Sequence, residues 1–158
     1  MSRTGKYTKR TPINDPVYEN RLLGRFINRM MRSGKKSVVQ TQMYYALDEI
    51  KKKNLDPVTV FQTAVNNVAP RMEVRPRRVG GASYQVPVEV RGERRISLAI
   101  RWLIQAAQNR SNKQYHEFWQ KLSAELMDAY NNTGDAIKKR DVMHRNAEAN
   151  KAFSHFRW

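Results

Sequence analysis

Arg21, Arg25, Arg29 and Arg32 recur at intervals of four, four and three residues, the spacing that stacks side chains on one face of an α-helix. Glu19 is the only acid in that segment. Like charges one turn apart destabilise an isolated helix, so the ladder calls for an external polyanion, and phosphate is the natural one. Further cations come in sets: Lys35-Lys36 just beyond the ladder, Arg75, Arg77 and Arg78 in the middle of the chain, then Arg94, Arg95 and Arg101. Arg3, Lys6, Lys9 and Arg10 precede them all, with no acid before Asp15. The chemistry these residues offer is charge neutralisation and hydrogen bonding to phosphate oxygens.

Bond-making chemistry has no comparable set. His116, His144 and His155 are scattered, and no pair has the HExxH or another metal-ligand spacing. There are no cysteines, which excludes disulfides, thiolate metal sites and thiol nucleophiles. Gly80-Gly81 lacks the following GK[ST] of a phosphate-cradling loop and reads as a turn. The expectation is a protein that is not an enzyme and uses no metal, cofactor or small-molecule substrate.

The elements that must position these cations follow from periodicity. A first helix is expected over residues 18–32, with Leu22, Leu23, Phe26, Ile27, Met30 and Met31 as an apolar stripe opposite the arginines. Replacing Arg21, Arg25 and Arg29 should then leave the fold intact. Val39, Met43, Ala46, Leu47 and Ile50 mark a second helix, ending in Lys51-Lys52-Lys53, where cations suit the dipole. Asp56-Pro57 reads as an N-cap and first position of a third. Ile96 to Ala107 and Tyr115 to Ala129 carry the fourth and fifth stripes, and a sixth helix begins near Thr133 or Asp135. Cations at the start of the fourth helix oppose its dipole and so point to a ligand.

Between the third and fourth helices the period changes to two. Met72, Val74 and Pro76 alternate with Arg71, Glu73, Arg75 and Arg77; Tyr84, Val86, Val88 and Val90 alternate with Ser83, Gln85, Pro87 and Glu89. The Gly80-Gly81 pair between them makes this a β-hairpin, and Pro87 suits a narrow ribbon better than a wide sheet. The reading is a mainly α single domain of about six helices over residues 1–158, with a protruding two-stranded hairpin arm at 71–90. A flexible basic arm occupies 1–15, and a basic C-terminal helix and tail 135–158. The tail AFSHFRW is expected to pack back, with stacking on a base as the alternative.

The formal charge of +16 is confined to three blocks. Residues 1–36 hold ten Lys and Arg against two acids, 71–95 seven against three, and 138–158 six against two, while 37–70 and 96–137 balance. Blocks converging in space make a nucleic-acid footprint. An anionic membrane fits less well, since no basic helix also carries an exposed aromatic face and no apolar run nears the ~18 residues of a span. A DNA-binding regulator is the rival of another class, but it would concentrate its cations on one recognition helix.

PRMEVRPRRVGGASYQVPVEV, SLAIRWLIQAA, HRNAEANKAFSHFRW and DPVYENRLLGRFINRMMRSGKKS together resemble, from end to end, the family of the seventh protein of the small ribosomal subunit, bacterial or organellar type. The resemblance implies a helical protein with a β-ribbon that binds small-subunit rRNA directly. It implies assembly of the 3′ major domain, the head, beside neighbouring ribosomal proteins. It places the ribbon, with Arg78, Val79, Gly80, Gly81 and Tyr84 at its end, near the exit-site tRNA and the mRNA path. Some bacterial members also repress their own messenger. The rRNA contacts carried over are Arg3, Lys6, Lys9, Arg10, Arg21, Arg25, Arg29, Lys35, Lys36, Arg75, Arg77 and Arg78, extended by Arg94, Arg95 and Arg101. The implied location is the ribosome, in a bacterial cytoplasm or in the stroma or matrix of an organelle. One stretch departs from the family, NRSNKQYHEFWQ, which holds only Arg110 and Lys113 beside Glu117.

Overall fold

The structure is a computed structural model and describes Gly5 and residues 12–156. The expected basic arm of Arg3, Lys6, Lys9 and Arg10 lies outside the described residues, as do Arg157 and Trp158. The element order is α1 (Arg21–Met30), α2 (Lys36–Lys51), α3 (Pro57–Val68), β1 (Met72–Val79), β2 (Ala82–Glu89), α4 (Gly92–Asn109), α5 (Phe118–Tyr130), α6 (Asp135–Ala149) and a terminal 3-10 helix, Lys151–Phe156. The mainly helical architecture with one hairpin between α3 and α4 is the expected one. The seventh helical piece is the tail itself.

α5 packs against α2, α3 and α4, and its Leu122, Leu126 and Ala129 are fully buried. α1 closes the body with Leu23, Phe26 and Ile27, and the Phe26 ring meets Phe61 of α3 edge-on at 5.4 Å between centroids. That geometry suits the quadrupoles of two aromatic rings.

α1 starts later than its stripe suggests because two short polar side chains take over the backbone first. The Oδ2 of Asp15 accepts from the N–H groups of Val17 (3.2 Å) and Tyr18 (3.1 Å), and Asn20 Oδ1 accepts from Leu22 and Leu23. Asn20 is thus the N-cap, and residues 15–18 form a turn instead of a helical one. Asp15 is buried, and its other oxygen accepts from the Tyr44 hydroxyl at 2.8 Å. Burial and that bond push the Tyr44 phenol up to about 12. Segment 13–15 lies so close to α1 that a Cβ on Gly24 would stand 2.5 Å from the Ile13 carbonyl oxygen. Only glycine admits that approach.

The hairpin has a two-residue loop, Gly80-Gly81, flanked by the pair Val79 and Ala82, and both glycines have positive φ (55° and 88°), as a primed turn requires. The register pairs Glu73 with Val88, Arg75 with Val86 and Arg77 with Tyr84. Opposed residues share a face, so the polar set of β1 sits beside the apolar set of β2. Neither face is purely polar. Glu73 is buried as a result, and Val86 and Pro87 are buried on β2.

A two-stranded ribbon needs support, and it has two props. β1 leans on α6, and β2 is covered by the terminal 3-10 helix. There the Tyr84 ring packs between Phe153 and Phe156, at 5.3 and 5.1 Å between centroids. As far as Phe156, the last described residue, the tail packs back, as expected. At the hairpin base the Arg71 N–H donates to His144 Nε2 at 2.9 Å, joining α6 to the chain just before β1. Val90 N–H donates to the Arg71 carbonyl at 3.0 Å and closes the ribbon.

Two outcomes follow from this packing. Phe26→Ala deletes a fully buried ring and its edge contact, and should lower unfolding free energy by about 3–5 kcal/mol in urea titrations. The His144 ring is held below its ordinary value of 6.5, first by burial, then by Arg140, with Arg71 and Arg95 adding and Asp141 opposing. A lowered base stabilises the fold fully above its unfolded pKa and loses that contribution as pH falls through the folded one. Thermal melts should therefore decline more steeply below about pH 6.5 in the wild type than in His144→Gln, whose amide oxygen keeps the acceptor without titrating.

Candidate nucleic-acid interface

Two helices far apart in sequence build a cationic groove. Arg25 and Arg29 extend from α1, and Arg101 from the third turn of α4, around a hollow of about 330 Å³ that Asn28, Ser97 and Ile100 complete. Arg25 is half-buried, not free. Its Nη2 donates to Ser97 Oγ at 2.7 Å and to the Glu93 carbonyl at 3.3 Å. It therefore fixes the groove's width and is part of how α1 docks on α4. Arg29 and Arg101 are exposed, and among the described residues neither has a carboxylate within 4 Å. Arg21, one turn before, is exposed too. The expectation that the whole ladder lies on a bare outer face thus fails at Arg25, which is tied to α4.

The groove and the hairpin meet at the first turn of α4. Glu73 is 4% exposed at its side chain and accepts from Arg75 Nε at 2.6 Å and from Arg94 Nε at 2.8 Å. Charge-assisted bonds to a buried carboxylate are among the stronger ones. They hold β1 to Arg94, whose neighbour Glu93 offers its carbonyl to Arg25. Arg75 and Arg94 remain about half exposed at their side chains, at 47% and 53%, so each keeps nitrogens facing water while being aimed by Glu73.

The remaining expected residues divide. Arg78 is exposed on the face opposite Arg77, across from Ser83, and Arg77 is half-buried across from Tyr84. Gly80 and Gly81 are exposed at the tip, Val79 is half-buried, and Tyr84 is held by the two phenylalanines. Lys35 and Lys36 are exposed at the start of α2, where Lys35 is the N-cap position without a side-chain cap. Cations there oppose the helix dipole, as Arg94 and Arg95 do at the start of α4. Arg95 turns away from the groove, and its Nε donates to the Ala69 carbonyl at 3.4 Å.

The atypical stretch between α4 and α5 is tied down internally. Arg110 donates to Glu125 (2.6 and 2.8 Å) and to Asp128, and lies over the Tyr115 ring. Glu125, 1% exposed, also accepts from the Ala136 N–H at 3.1 Å. Lys121 donates to the Arg110 carbonyl at 2.7 Å. These two cations serve the fold. Sequence reasoning missed Asn28 and Ser97, whose only signal was a one-turn offset, Asn28 from Arg25 and Ser97 from Arg101.

Among the described residues no group of three or more His, Asp or Glu side chains could hold a metal, and no helix is long and apolar enough to cross a membrane. A groove of cations with a hairpin fixed beside it fits a polyanion, and comparison with known proteins gives it a family. The model of the family described as ribosomal protein S7p/S5e matches residues 2–151. The small ribosomal subunit protein uS7 of Thermomicrobium roseum is 55% identical over the full length of both chains. That of Xanthobacter autotrophicus is 58% identical, and that of Thermoanaerobacter pseudethanolicus 54%, again over both whole chains. These are ribosomal proteins and not enzymes. The chain belongs to the ribosomal protein S7p/S5e family.

Proposed function

We propose that this protein is a structural constituent of the small ribosomal subunit that binds small-subunit rRNA directly through the α1–α4 groove and the hairpin beside it. The observation that carries the reading is the convergence of Arg25, Arg29 and Arg101 from two helices on one groove, with Arg29 and Arg101 unpaired among the described residues. Phosphate neutralisation supplies the affinity. A-form RNA hides its base edges in a deep groove, so the protein reads the shape of a helix junction more than its sequence. A cleft between helices plus a stiff ribbon can touch backbones that diverge from a junction.

Within that reading the RNA is the 3′ major domain, and binding starts assembly of the head alongside neighbouring ribosomal proteins. Arg78, Val79, Gly80, Gly81 and Tyr84 place the ribbon end near exit-site tRNA and mRNA. Arg3, Lys6, Lys9 and Arg10 add contacts from the N-terminal arm, and Lys35, Lys36 and Arg21 extend the surface along α1 and α2. Repression of its own messenger would use the same groove on an RNA of similar shape. The family resemblance, the exposed tip and the charge blocks support these placements.

The test is binding to a head-domain RNA fragment, titrated against salt beside random duplex RNA and duplex DNA of equal length. The fragment should stay bound at salt that strips both controls; equal affinity and slope for all three would sink the proposal. Arg29→Gln with Arg101→Gln should leave the thermal melt within about 1 kcal/mol of wild type, as exposed changes usually do. The same pair should flatten the log–log salt slope by roughly 1.4–1.8 for two phosphate contacts. An unchanged slope would mean that the groove is an ordinary solvated face.

A further inference from the structure

A second cationic hollow lies at the C-terminal end of α3, apart from the groove. It has a volume of about 390 Å³, and its walls come from three helices and two connecting segments: Asn66 of α3, Arg71 before β1, Arg95 of α4, Arg140 and His144 of α6, and Asn132 between α5 and α6. A plain structural reason accounts for part of it. The last carbonyls of α3 carry the negative end of the helix dipole, and Arg140 Nη1 donates to the Asn67 carbonyl at 2.7 Å while Arg95 Nε donates to that of Ala69. Asp141 takes the remaining Arg140 nitrogens, at 2.8 and 2.7 Å.

That reason leaves three things over. Arg71 is exposed on the wall, and its side chain has no bond among the described residues; it is the backbone N–H of Arg71 that meets His144. Arg95 uses one nitrogen of three. Asn66 is exposed on the wall with its amide unengaged, and Asn132 Oδ1 has only a 3.4 Å contact from Arg140. Three guanidinium groups face one carboxylate, so the hollow carries a surplus of two positive charges. Planar forks flanked by amide donors match tetrahedral oxygens.

We propose that this hollow is a phosphate-binding site, taking one backbone phosphate of the bound RNA between Arg71 and Arg95 with Asn66 and Asn132 as neutral donors. The proposal rests on the RNA reading above but concerns residues which that reading did not use, Arg95 excepted. Because its walls come from α3, α4, α6 and the hairpin base, an occupied site also stiffens the joint where the arm leaves the body. Binding to the folded state alone stabilises by mass action.

Asn132→Asp tests it. Asn132 has positive φ (58°), which aspartate also tolerates, and its carboxylate keeps the acceptor for Arg140 while placing a negative charge on the wall. Asn54→Asp is the matched control, with φ 59° at an exposed position near the α2 end and the same change in net charge. Against the head RNA fragment, Asn132→Asp should bind about tenfold more weakly than Asn54→Asp, the scale of one charge-assisted bond set. Its salt slope should also flatten by roughly 0.7–0.9. Equal affinity and slope in the two variants would overturn the proposal. In a second arm, inorganic phosphate at constant ionic strength should move the NMR signals of the His144 ring and the Arg71 and Arg95 Nε–H groups in the wild type and not in Asn132→Asp. Movement of His116 and His155 by the same amount, or none at His144, would overturn it equally. If wild-type protein shows no preference for the head RNA, the RNA reading fails by itself. Phosphate shifts confined to the hollow would then still establish the anion site.

Discussion

Carboxylates are scarce in this chain, fourteen against thirty cations, and the fold depends on how three of them are spent in its interior. Asp15, Glu73 and Glu125 are each buried, at 2%, 3% and 1% exposure. None is an isolated charge. Asp15 takes two backbone N–H groups and the Tyr44 hydroxyl, Glu73 takes two arginines, and Glu125 takes Arg110 and the N–H of Ala136. A buried carboxylate is tolerable only when its lone pairs are filled, and here each filling joins segments distant in sequence. Asp15 seats the chain before α1, Glu73 seats the hairpin, and Glu125 seats α6 on α5. With so few acids used inward, the cations on the surface are left to face solvent or a ligand.

The helices were legible because their apolar positions recur with one period and their ends carry ordinary signals, Asp56-Pro57 above all. The hairpin was legible from Gly80-Gly81. What could not be read was which arginine would bond inward. Arg25, Arg29, Arg75, Arg94 and Arg95 look alike in sequence, yet Arg29 bonds to no described residue while Arg25 spans two helices, Arg75 and Arg94 share one carboxylate, and Arg95 caps a carbonyl. The difference lies in partners 2 to 72 residues away, to which local periodicity is blind. Glu73 misled for a related reason: alternation alone puts it among the polar positions, and the register of a two-residue loop then brings it over the body.

Block counting of charge also had a blind side. Arg101 stands in a segment that balances to zero, yet it forms one wall of the groove. Arg110 and Lys121 from the same segment are consumed by the fold. Net charge per segment is a sum over both kinds of cation, and only geometry separates them. Both cationic hollows mix arginines pinned by the protein, Arg25 in one and Arg140 and Arg95 in the other, with arginines beside them that are left open. A pinned residue sets the spacing, so less side-chain entropy would be lost on binding an anion there.

The aromatic clasp on Tyr84 changes what kind of object the arm is. From base to turn the ribbon has eight residue pairs, and Tyr84 belongs to the pair with Arg77, so just two pairs, Arg78 with Ser83 and Val79 with Ala82, extend past the clasp. For a beam held at one end, resistance to bending rises as the inverse cube of the free length. Moving the support from the base to the third pair from the tip turns a lever that would sweep widely under thermal agitation into a short peg. Its end can then be placed by the body to within side-chain dimensions.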